Sequence, residues 1–115
     1  MTVRLDLLRA YEEWCTKAEN DLQFRRARGL CETTRMLLGI MSLLDAYFPH
    51  AVTREQYDRV EDLFERALAC VTEQMDAGID PDGCCDLYQH NIEDRIADLK
   101  ELIKARDAVA IEQEA

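Results

Sequence analysis

Met36-Leu37-Leu38-Gly39-Ile40-Met41-Ser42-Leu43-Leu44-Asp45-Ala46-Tyr47-Phe48 is the longest apolar stretch of the chain, thirteen residues in which only Ser42 and Asp45 are polar. A helix that spans a bilayer needs about 20 residues, so this one is too short to cross a membrane. Upstream, Ala27, Leu30, Cys31 and Thr34 run into it at helical spacing. With apolar side chains on nearly every face, Met36 to Phe48 reads as the central, most enclosed helix of a bundle. Gly39 in its middle reads as a point of close approach by a neighbour. Pro49 ends the helix at Phe48.

Working downstream, Thr53-Arg54-Glu55-Gln56 is a capping box that opens the next helix. Its apolar stripe is Tyr57, Val60, Phe64, Ala67, Leu68, Val71 and Met75, and Gly78 stands where a left-handed cap belongs, so the spacing predicts a helix over 54–77. Asp80-Pro81 reads as the next start, with Asp80 as cap and Pro81 in the first turn. Cys85, Tyr88, Ile92, Ile96, Leu99 and Ile103 then mark one face of a helix expected to run to Val109, with 110–115 a frayed tail. Upstream of the decisive stretch, Leu8, Tyr11, Cys15 and Ala18 define a helix over Val3–Glu19. Asn20-Asp21-Leu22-Gln23 leaves two readings open: a fresh helix start capped by Asn20, or a helix continuous to Arg28 and broken near Gly29.

No segment sustains the alternation of a strand. Four glycines and two prolines give little punctuation for a β-rich chain. At 48% hydrophobic and 33% charged residues the composition argues against disorder. Residues 1–109 are therefore expected to form one domain, an all-α antiparallel helical bundle of three to four helices.

The formal net charge of −10 lies wholly in the second half. Residues 1–50 hold seven acids and seven bases, whereas 51–115 hold seventeen acids against seven bases, and 7 − 17 accounts for all of it. Such a balance opposes direct nucleic-acid binding and attraction to anionic membranes. With Phe64 as the buried centre and about 100° per residue, Glu55, Asp58, Asp62, Glu73 and Asp76 fall on the solvent side of the third helix. The same rotation about Ile92 puts Asp86, Asp94 and Glu101 opposite the core of the fourth. A solvated helix face explains many of these singly, since Arg54–Asp58, Asp62–Arg66 and Glu55–Arg59 are spaced for i,i+4 ion pairs. The surplus as a whole points to a basic partner. Carboxylates three or four positions apart on a helix stand about 5–6 Å from each other, near the pitch of backbone phosphates.

In size and charge the chain resembles small acidic phage-encoded inhibitors of host defence, including anti-CRISPR proteins. That resemblance implies a non-enzymatic inhibitor covering the nucleic-acid-binding surface of its partner, and it carries no residue roles. The eight carboxylates are the expected partner-binding residues, and the expected partner is a protein with a basic, nucleic-acid-binding surface. Two alternatives stand beside this reading. One is a structural homo-oligomer, such as a homodimer, associating through an apolar or Arg-rich face of the first two helices. The other is a weak divalent-metal-binding protein.

Signatures of chemistry fail on inspection. Placing Gly83 at the sixth position of a calcium loop puts Gly78 at the first and Gln89 at the twelfth, so two ligands are missing. Asp86, His90 and Asp94 form an i, i+4, i+8 stripe on a solvated face. Neither His50 nor His90 follows a Glu by three positions, as bundle di-iron sites require. No catalytic residue, cofactor or metal is expected. Cys15, Cys31, Cys70, Cys84 and Cys85 form no Cys-x-x-Cys pair, and their odd number fits reduced thiols in a cytoplasmic protein. Arg25, Arg26 and Arg28 form the one basic cluster and are candidates to pair with the acidic helices. Trp14 is expected in the core.

Overall fold

A computed structural model describes the backbone of residues 2–114 and the side chains of residues 2–109. The chain is a single-domain, all-α antiparallel bundle of four helices: α1 (Thr2–Gln23), α2 (Ala27–Tyr47), α3 (Arg54–Asp76) and α4 (Cys85–Glu114).

The first hairpin turns at neither of the two places left open by the sequence. Asn20 lies inside α1, which ends three residues later at Gln23. Arg25 adopts the left-handed φ of 53°, Arg26 donates its amide to the Asp21 carbonyl, and Arg25 donates to that of Leu22. This is the hydrogen-bond pattern of a Schellman ending, with arginine where glycine is usual. Two side chains of α3 hold that arginine: Gln74 donates to its carbonyl, and Glu73 takes its guanidinium at 2.8 Å. Asp21, only 1% exposed, anchors the hairpin from within by accepting from Thr33 of α2 at 3.1 Å and from Lys17 at 3.2 Å.

α3 is bounded as expected. Thr53 and Gln56 cap each other's backbone reciprocally, and Gly78, at φ 72°, closes a second Schellman ending. α4 departs from expectation at both ends. It begins at Cys85, not at Pro81, because Asp80 and Asp82 reach forward from the loop to accept the amides of Cys85 and Cys84. It also runs on as helix through Glu114, past the end expected at Val109, and Ala115 lies outside the described residues.

Cross-helix bonds give the topology. Glu12 meets Arg59, Glu19 meets Arg66 and Arg25 meets Glu73, so numbers on α1 and α3 rise together and the two helices are parallel. Thr72 meets Gln89 while Arg54 meets Asp107, so α3 and α4 are antiparallel. Around the bundle the order is α1, α2, α4, α3, with α2 and α3 also touching across the short diagonal and the backbones of α1 and α4 apart. The flattened extents of 51 × 29 × 18 Å fit such a rhombic section. Tyr11, Leu37, Met41, Tyr57, Phe64, Ile92 and Leu99 fill its centre.

One expectation about α2 holds in part and another is overturned. Packed against α1, α3 and α4, it is the most enclosed of the four helices, with Leu30, Leu37, Met41 and Leu44 buried, yet Met36, Leu43 and Tyr47 are exposed. A ring of four helices gives each one an outer face, and the apolar residues of α2 exceed what its inner face can hold. Gly39 is not a point of close approach, for a Cβ built there meets nothing within 4 Å. That role belongs to Gly29, where a Cβ would lie 2.8 Å from the Asp21 carboxylate.

Candidate functional site: the acidic surface of α3 and α4

All eight carboxylates singled out from the sequence are exposed. Three of them are compensated within the chain: Asp58 by Arg54 at 2.9 Å, Asp62 by Arg66 at 3.5 Å and Glu73 by Arg25 at 2.8 Å. Glu55, Asp76, Asp86, Asp94 and Glu101 make no ion pair among the described residues. The i,i+4 pair expected between Glu55 and Arg59 is not made, because Arg59 reaches across to Glu12 of α1 at 3.0 Å.

Arg59 and Arg66 mark the edge of α3 that faces α1, and Thr72 marks the edge that faces α4. Turning about 100° per residue from Thr72 places Asp58 and Asp76 within about 40° of it, on the side shared with α4, whereas Asp62, about 80° away and paired with Arg66, lies nearer the α1 edge. Glu55 and Glu73 turn instead toward α1; Glu55 lines a surface groove there with Glu12 and Arg59. On α4, Gln89 marks the edge facing α3, and Asn91, bonded to Cys31, marks the edge facing α2. Asp86 leans to the α3 side, whereas Asp94 and Glu101 lean to the α2 side. The eight therefore divide. Asp58, Asp76 and Asp86 share one face, and the other five do not join it.

Two exposed acids overlooked in the sequence complete that face: Glu65 lies about 20° from the Thr72 edge of α3, and Glu93 about 40° from the Gln89 edge of α4. Neither sits opposite its helix's core centre, so a search for the most outward residues passes over them. Flanking residues matter because a surface between two helices is built from their adjoining flanks. In the antiparallel register Asp76 stands beside Asp86 and Glu93 falls between the levels of Thr72 and Glu65; Lys100 then enters at the level of Glu61 and Lys104 beside Asp58 toward the open end. The acidic strip thus runs from the α3–α4 turn to Glu65, about 17 Å along α3 at 1.5 Å per residue.

Asp80 and Asp82 serve α4 itself. Besides capping, Asp82 accepts from the Tyr88 hydroxyl, which holds its carboxyl below the ordinary range and pushes Tyr88 up to about 12. Among the described residues, no three of His, Cys, Asp and Glu gather as a metal site. The five cysteines are free thiols. Burial raises the pKa of Cys15, of Cys70 and of Cys85, the last to about 11, so these are thiols and not thiolates near neutrality. Of the basic cluster, Arg25 pairs with α3, while Arg26 and Arg28 pair locally with Asp21 and Glu32. Among the described residues, no helix is long and apolar enough to cross a membrane. No family model, curated protein or solved structure matches the chain.

Proposed function

We propose that the chain is a non-enzymatic acidic interaction module that docks the α3–α4 strip onto a basic surface of another protein, of the kind that holds nucleic acid. The observation that carries this reading is a lateral sorting of charge on α3. Its Arg59 and Arg66 are drawn to Glu12 and Glu19 of α1, which leaves Glu65, Asp76, Asp86 and Glu93 uncompensated along the opposite flank. Uncompensated acids on the adjoining flanks of two helices offer a negative track that lysines and arginines otherwise engaged with phosphates can meet. Docking there blocks nucleic acid from the partner, so the module acts as an inhibitor. Five free thiols suit a cytoplasmic setting.

The test is capture of host-lysate proteins on immobilised wild-type chain and on an Asp76→Lys/Glu93→Lys variant. The expected result is a bound protein that elutes as salt rises, is displaced by DNA or RNA, and is lost on the variant, since screening and charge reversal both weaken exposed contacts. Equal capture by the variant, or binding indifferent to both salt and nucleic acid, overturns the reading.

A further inference from the structure

One cavity lies apart from the acidic strip, at the open end of the seam between α2 and α4. It is lined by Asp45 near the end of α2, Pro49 and His50 of the α2–α3 loop, and Ala105, Arg106 and Val109 of α4, and its volume is 160 Å³. That space holds about five waters or one small organic molecule, less than the roughly 300–1,000 Å³ of sites for drug-sized ligands. His50 joins it with a left-handed φ of 72°, a strained backbone of the kind that gathers at ligand sites.

Two opposite charges line this small space without neutralising each other. Asp45 and Arg106 are both half-buried, yet neither makes an ion pair among the described residues. Arg106 donates its Nε to the Val52 carbonyl at 3.1 Å, which fixes the guanidinium and leaves its terminal nitrogens without a hydrogen bond among the described residues. Tyr57, fully buried, has its ring centre 5.8 Å from that guanidinium. Its hydroxyl is the one fully enclosed side-chain polar atom among the described residues that lacks a hydrogen bond. Burial first, and then the neighbouring Asp45 carboxylate, push this hydroxyl above its ordinary range, so it keeps its proton although the two groups do not close a bond. Buried polar groups are nearly always satisfied, so an orphaned donor calls for a missing acceptor. Both charged neighbours of Tyr57 line the cavity, and the cavity is where that acceptor can come from.

We propose that this cavity binds a small apolar α-amino acid as its zwitterion. The planar guanidinium of Arg106 takes the carboxylate, for which its fork of donors is matched. Asp45 accepts from the ammonium group, and Pro49, Ala105 and Val109 cover a short apolar side chain. Charge selects this class of ligand. A simple acid or a simple amine satisfies one of the two opposed charges and leaves the other unmet. A simple acid also approaches against a chain of net charge −10, whereas a zwitterion brings no net charge. Size agrees, because carboxylate and ammonium on one carbon fit the small volume with room for a few more heavy atoms.

The experiment is isothermal titration calorimetry and thermal melting of the full chain with L-alanine, L-valine and L-leucine. Isocaproate, which is leucine without its amine, and isoamylamine, which is leucine without its carboxylate, serve as controls. At least one of the three amino acids is expected to bind and to raise the melting temperature, as a ligand of the folded state does. Both controls are expected to bind about tenfold more weakly or worse. Asp45→Asn is expected to weaken binding by about tenfold or more. Ala105→Leu, an exposed position, fills the cavity and abolishes binding with helicity intact by circular dichroism. Tyr57→Phe weakens binding while the free chain melts no lower than wild type, because the hydroxyl it removes has no partner in the chain to abandon. Absence of heat and of a melting shift with all three amino acids at millimolar concentration overturns the proposal. So does equal binding of either control, or affinity unchanged by Asp45→Asn or Ala105→Leu.

Discussion

Gly29 and Gly39 lie on the same helix, yet an added methyl has opposite consequences at each. At Gly29 the new carbon meets the Asp21 carboxylate at 2.8 Å, and that carboxylate is held by Thr33, Lys17 and Arg26. At Gly39 it meets open space. Gly39→Ala is expected to stabilise the fold by about 0.5–1 kcal/mol through helix propensity. Gly29→Ala is expected to destabilise by about 1–3 kcal/mol, because it displaces a buried carboxylate from its partners. Urea unfolding of a double-mutant cycle checks the cause: with Asp21→Ala already present, most of the Gly29→Ala cost disappears. The sequence shows two glycines in one helical pattern and no reason to rank them. Only the position of α1 against α2 tells them apart.

At the scale of elements, the capping signals of the sequence divide by how local they are. Thr53–Gln56 and Gly78 were legible because their partners are three to five residues away. The α1–α2 turn was not legible, because an arginine occupies the left-handed position and is held there by Glu73 and Gln74 of a helix some fifty positions later. The start of α4 misled for a related reason: Asp80 caps from several residues upstream, bonding Cys85 across the loop. That loop also yields a pH dependence. Its Asp82 carboxyl is held down first by the Tyr88 hydroxyl, so it contributes stability above the unfolded carboxyl pKa of about 3.9 and loses it as pH falls through the lower folded value. Tyr88→Phe is expected to melt below wild type at pH 7, with the gap closing on acidification toward pH 3. A constant gap in thermal melts across that range contradicts this role for the hydroxyl.

For the whole molecule, the parallel seam between α1 and α3 is a ladder with one reversal: Glu12–Arg59, Glu19–Arg66, then Arg25–Glu73. Each pair is exposed and screened by solvent, so its own contribution to stability is small. Its larger effect is on charge distribution, for it withdraws Arg59 and Arg66 of α3 from the acidic flank. Swapping the rung as Glu19→Arg/Arg66→Glu is expected to preserve stability, whereas either single reversal lowers it, with coupling that shrinks in high salt. Equal stability of all three variants in denaturant titration shows the rung to be idle. The ladder and the acidic strip lie along different seams of the ring, one between α1 and α3 and the other between α3 and α4.

Periodicity, capping residues and the split of charge are written along the chain, and from them the sequence determined the helical class, the bounds of α3 and the acidic character of the second half. The ring order of helices, the sharing of carboxylates between faces and the exposure of Met36, Leu43 and Tyr47 were decided only by tertiary packing. A helical wheel records which way a side chain leaves its own axis but not which neighbour stands there. That is why Glu65 and Glu93 were passed over, why Glu55, Asp62, Glu73, Asp94 and Glu101 part from the strip, and why an apolar run that read as enclosed lies partly in water.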